Sequence, residues 1–177
     1  MKVKIFICAL LTSLLFLGCE KNTPLTPARK LEGTWTTPNP VTFYFDSDGC
    51  GSYTHYSKFT MKVSWQISAM GDSMVNITET LISASAQTSV GSNCGLPAPA
   101  LAFPLQFVGV ITGSKFALDE QQMLYSSSGA ALGLGNVRIG IFNFTSNNIT
   151  GSVEEMDCPA YCSGYSTDAN TFILTKN

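Results

Sequence analysis

Few residues in this chain have the types and spacing that chemistry requires. Beyond residue 20 there are four cysteines, Cys50, Cys94, Cys158 and Cys162. Such a set offers two disulfides or a four-thiolate metal site. No C-x-x-C pair occurs among them, which counts against zinc. The one histidine is His55. A general base needs a nucleophile to serve, and no G-x-S-x-G elbow accompanies the serines. His55 is therefore expected to be packed or hydrogen-bonded on a strand. Glu79 falls on the same alternating face as Val75, Ile77 and Leu81. A carboxylate on an inward face must be paired, hydrated or neutral. Glu79 is thus the candidate for holding the polar head of a ligand. Asp46-Ser47-Asp48-Gly49 opens like a calcium loop but lacks the later acidic ligands, and reads as a hairpin turn. No catalytic residues, metal site or cofactor are expected, and the chain does not read as an enzyme.

The element that must position most of these groups is residues 53–68. Every second residue from Phe59 runs Phe59, Met61, Val63, Trp65, Ile67, while the other phase is nearly all polar. Period-2 alternation marks a strand with one buried and one wet face. At roughly 3.3 Å per residue it spans about 50 Å, so a bend or bulge is expected within it. Phe59, Met61, Val63 and Trp65, with Glu79 on the next strand, are the expected lining of a binding interior.

Further strand signals lie at 41–45, 74–84, 105–111, 116–118, 123–126, 137–144, 149–155 and 172–174. Asp119–Gln122 separates two of them, and 127–136 reads as a small, flexible connection. Residues 85–102 and 156–170 read as long loops carrying the later cysteines. No amphipathic helix of normal length appears. Eight or nine strands joined in order predict an all-β, antiparallel up-and-down barrel, with a β-sandwich as the alternative.

The amino terminus is not part of that fold. Lys2 and Lys4 precede a short apolar run from Ile5 to Leu17, the pattern of a secretory signal peptide over residues 1–18. The run is shorter than a bilayer requires of a helix. Leu15-Phe16-Leu17-Gly18-Cys19 resembles a bacterial lipobox, with Phe16 where Leu is usual. The resemblance implies cleavage before Cys19, acylation of Cys19, and a membrane-anchored lipoprotein of the cell envelope, expected on the outer membrane. Residues 19–30, with two prolines, then read as the lipidated cysteine and a tether, and 31–177 as the domain.

The 177 residues suffice for one domain with a substantial core. Only 12% are charged and 45% are hydrophobic, which excludes a wholly disordered chain. Net charge is −2 without a basic cluster, which argues against a nucleic-acid partner. Removal of Lys2 and Lys4 with the signal leaves 8 basic against 12 acidic residues. The envelope is oxidising, so disulfides are expected. Three pairings are open to four cysteines. The favoured one joins Cys50 to Cys94, whose loops fall on one end of the sheet, and Cys158 to Cys162.

Leu31-Glu32-Gly33-Thr34-Trp35, then Phe43-Tyr44-Phe45-Asp46-Ser47-Asp48-Gly49, resemble the opening of bacterial lipocalin-like lipoproteins. Ile149-Thr150-Gly151 and the terminal Phe172-Ile173-Leu174-Thr175-Lys176 are similar to their closing strands. The resemblance implies a barrel with Trp35 packed across its closed base, and binding rather than catalysis. The long loops and four extra cysteines depart from the pattern. The expected function is capture of a small apolar ligand in the barrel. The alternative is a pocketless module that meets an envelope protein partner through its cysteine-bearing loops.

Overall fold

The alternating stretch at 53–68 becomes β3 (Thr54–Ala69), the longest strand in the computed structural model. The structure describes residues 24–47, 54–91, 103–125, 131–157 and 163–177. β1 (Gly33–Thr36) and β2 (Val41–Ser47) both pair antiparallel with β3. They form one course interrupted at 37–40, where Pro38 and Pro40 cannot donate to a ladder. β4 (Met74–Ala84), β6 (Leu105–Thr112), β7 (Lys115–Tyr125) and β8 (Ala131–Phe144) follow, each antiparallel to the one before. β9 (Asn148–Gly151) and β10 (Glu154–Asp157) both lie along β8. β11 (Ser163–Ser166) joins β10 to β2, and β12 (Phe172–Lys176) joins β9 to β1. The ring closes as an antiparallel eight-stranded barrel in which neighbours in space are neighbours in sequence. Closure leaves no sandwich edge. β5 (Thr88–Ser89) adds a short pairing to β3.

Several boundaries differ from the sequence reading. The expected tether ends early: Pro27–Leu31 form a short helix, α1, so the fold begins before Leu31. Thr26 caps it by accepting from the Arg29 N–H, and Pro27 stands at its first turn, where no donor is needed. Ala28 and Leu31 are fully buried. Asp119–Gln122 does not separate two strands, because β7 continues through it against β8. Ala131–Asn136, expected in a connection, is the first half of β8, whose pairing with β7 needs no apolar alternation. The expected strand at 149–155 is broken between β9 and β10, and β11 lies inside the expected loop at 156–170. Leu81 is 40% exposed despite its alternating position. A register shift opposite Lys62/Val63 falls there, and β6 reaches only to Glu79.

The two interrupted levels are held alike. At one, the Thr37 N–H donates to the Val63 carbonyl at 3.1 Å and Thr37 Oγ1 accepts the Val63 N–H at 3.0 Å. At the other, the Thr167 N–H donates to the Val153 carbonyl and Thr167 Oγ1 accepts the Val153 N–H, both at 2.9 Å. Each buried threonine replaces the ladder bonds that the break removes.

The barrel has unlike ends. The base carries the short turns at 70–73, 113–114 and 145–147. α1 lies there, its Ala28 N–H donating to the Asp72 carbonyl and Glu32 accepting from the Ala69 N–H. Trp35, as expected, is buried at this end, with Nε1 donating to the Leu31 carbonyl at 2.7 Å. The opposite ends of the strands lead to residues 48–53, 92–102, 126–130 and 158–162, which lie outside the described residues, as do Cys19, Cys50, Cys94, Cys158 and Cys162.

Candidate functional site

The β3 row points inward as its alternation requires. Met61, Val63, Trp65 and Ile67 are each at most 2% exposed, while Phe59 toward the far end and Ala69 at the base are partly open. Trp65 stands directly opposite Glu79 in the β3–β4 register. Glu79 is fully buried, and its Oε2 accepts the Trp65 Nε1–H at 2.6 Å. The carboxylate therefore has a protein partner of its own. The pairing meets both costs of burial at once, since an indole N–H and a carboxylate oxygen would each lose a partner without it.

Around Trp65 the interior is aromatic. Its ring lies 5.3 Å from Phe172, 5.4 Å from Phe142 and 6.3 Å from Phe116, centroid to centroid. Phe116 and Phe142 stack at 5.2 Å. These rings come from β3, β7, β8 and β12, so side chains from all round the base meet on the axis. Phe142 needs close backbone on its own wall: a Cβ at Gly140 would stand 2.8 Å from its ring, and one at Gly151 2.7 Å. Glycine at both places makes room for the ring.

Toward the far end the aromatic column continues, among the described residues, through Phe43, Phe45 and Phe59. Phe59 stacks on Phe45 at 4.9 Å and on Phe43 at 5.6 Å, and Phe43 meets Phe172 edge-on at 6.2 Å. The column thus runs unbroken from the aromatic base to a partly open ring. Ser57, next in the same row, is buried and accepts a hydrogen bond from Gln87 Nε2.

The structure brings Phe59, Met61, Val63, Trp65 and Glu79 into one interior but divides them between two levels. Trp65 and Glu79 belong to the base level, and Phe59 to the far level. Sequence reasoning missed Phe43 and Phe45 as partners of Phe59, although their alternation in 41–45 placed both on one face. It also missed Phe116, Phe142 and Phe172, which lie in short apolar runs with no periodicity to single them out. His55 lies in β3 opposite Asp46. Among the described residues no three His, Cys, Asp or Glu side chains gather as a metal would need.

No protein-family model, curated protein or solved structure matches this chain.

Proposed function

We propose that the protein is a lipid-anchored component of the cell envelope whose lipocalin-like barrel takes a small apolar ligand at its far end. It binds, sequesters or transfers that ligand without chemistry. The observation that supports this reading is Phe59: at the far end of an inward apolar row closed from Met61 to Ile67 it is partly open, and it stacks on both Phe43 and Phe45. A planar or branched apolar ligand gains from such a platform, since an aromatic pair adds about 0.5–1.5 kcal/mol beyond area burial. The base level favours the same direction of entry, because Trp65, Phe116, Phe142 and Phe172 already fill it with their own contacts. The anchor is Cys19, and the far-end connections carry the two disulfides.

The test is titration of the soluble domain, from residue 22 onward and made in the periplasm, with 1-aminoanthracene. Saturable fluorescence enhancement is expected, weakened about tenfold by Phe59→Arg, since a buried charge opposes an apolar ligand. The intact mass of the membrane form should show acyl chains on Cys19, and thiol titration of the unfolded, unreduced protein should find no free cysteine. Absence of saturable enhancement would instead favour the pocketless module with an envelope protein partner.

A further inference from the structure

Four exposed apolar residues on the outside of the barrel form one line. Met74 on β4 pairs with Val110 on β6, Val110 with Ala117 on β7, and Ala117 with Ile141 on β8. The larger three are 37%, 52% and 64% exposed. On an antiparallel sheet, directly opposed residues touch across strands, so the row is a continuous apolar strip. An outward strip of this kind marks a contact surface.

The strip lies near the base, two residues along β6 from its end at Thr112. It starts where the amino-terminal chain leaves the fold. Ala28, in the first turn of α1, bonds to Asp72 in the turn between β3 and β4, and Met70 and Met74 close that turn through a backbone hydrogen bond of 2.8 Å. Met70 is 47% exposed, and Leu25, just ahead of α1, is 63% exposed. Seven residues, 20–26, lie between Cys19 and Pro27, a distance of eight Cα–Cα steps. Fully extended they reach no more than about 28 Å.

Charge follows the same polarity. Arg29, Lys30, Lys115 and Lys176 stand at the base against Glu32 and Asp72. Beyond the interrupted level the strands carry Asp46, Asp119, Glu120, Glu154, Glu155 and Asp157 against Lys58, Lys62 and Arg138. The chain as a whole is acidic, so a cationic base is a local asymmetry. Lys115 borders the strip directly, two residues from Ala117 and opposite Thr112 and Asn143.

We infer that the strip is a membrane-contact surface: the barrel leans its β4–β8 flank on an anionic bilayer. Met74, Val110 and Ile141 enter the interface while Lys115 meets lipid phosphate. Apolar side chains flanked by cations suit the headgroup boundary. The far end then points away from the lipid and stays open to its ligand. The inference rests on the anchoring reading for the short tether, though the strip itself does not depend on it.

The test uses the full lipoprotein, purified and reconstituted in phosphatidylethanolamine–phosphatidylglycerol vesicles with a photoactivatable lipid probe. Cross-linked peptides are mapped by mass. Label is expected on the peptides holding Met74, Val110 and Ile141. It should fall about tenfold in the Val110→Glu/Ile141→Glu double variant, because both apolar contacts are lost. Ile173→Glu, on the opposite wall at β12, should leave it unchanged. Both sites are outside the barrel, and an unchanged thermal midpoint shows that the fold persists. Label confined to the amino-terminal chain would overturn the inference. So would flank label indifferent to the double variant, or flank contacts made with a second copy instead of lipid. An intact mass without acyl chains would defeat the anchoring reading alone. In that case vesicle flotation lost in the double variant supports the strip, and flotation unaffected by it overturns the strip.

Discussion

Trp65 at the base and Phe59 toward the far end come from one row of one strand, yet their surroundings differ. Trp65 meets three phenylalanines, has its N–H taken by Glu79, and is fully buried. Phe59 stacks on Phe43 and Phe45 and remains partly open. The cause is the architecture of the two ends. Short turns and α1 close the base, so strands there converge on one another's side chains. The same strands at the other end lead into the longer connections. One alternating pattern therefore supplies a closed core at one level and a partly open aromatic group at the other. Stability should reside in the first and binding in the second.

The largest test of that division is Phe142→Ala. Removing a ring that touches Trp65, Phe116 and Phe172 should cost about 3–5 kcal/mol in urea unfolding. Phe59→Ser should cost far less stability but should weaken probe binding severalfold, less than Phe59→Arg does. Equal stability losses at the two sites would erase the comparison.

A smaller effect sharpens the account of the base. Glu79→Leu keeps volume but strands the buried Trp65 N–H, and should cost about 1–3 kcal/mol. Adding Trp65→Phe removes the orphaned donor, so the double variant should be more stable than the sum of the single losses predicts. Simple additivity would mean that the 2.6 Å hydrogen bond contributes nothing.

The smallest effects concern the interrupted level. Thr37→Val and Thr167→Val each remove a hydroxyl that accepts a buried backbone N–H, and each should cost about 1–2 kcal/mol. The two threonines share no partner, so their losses should add. A large loss at one and none at the other would show that the matching geometries do not bear matching loads.

Much of this is legible in the sequence. The inward row of β3 follows from alternation, and the inward position of Glu79 follows from its phase with Val75 and Ile77. The bulge expected within β3 falls at Tyr56, between the pairs Phe45–Ser57 and Asp46–His55. The closure of the barrel was predicted from strand count and short turns. What was not legible depends on partners distant in sequence. Ala131–Asn136 carries too few side chains to alternate, and is a strand because β7 lies beside it. The break at Ser152–Val153 leaves the alternation of Ile149 and Val153 intact, so nothing local announces it. α1 is five residues long, too short for a periodic face; only Thr26 followed by Pro27 hinted at a helix start. The two levels of the interior could not be separated because one row of apolar residues reads alike whether it meets protein or ligand.

The measurement that bears most directly on the central claim is native mass spectrometry of the protein released gently from the envelope, unreduced. The account predicts a bound apolar molecule, freed on denaturation, retained by Val110→Glu and lost by Phe59→Arg. A bare chain in every preparation, with no apolar probe able to saturate it, would contradict the claim and leave the barrel as a closed module whose far end serves a protein partner.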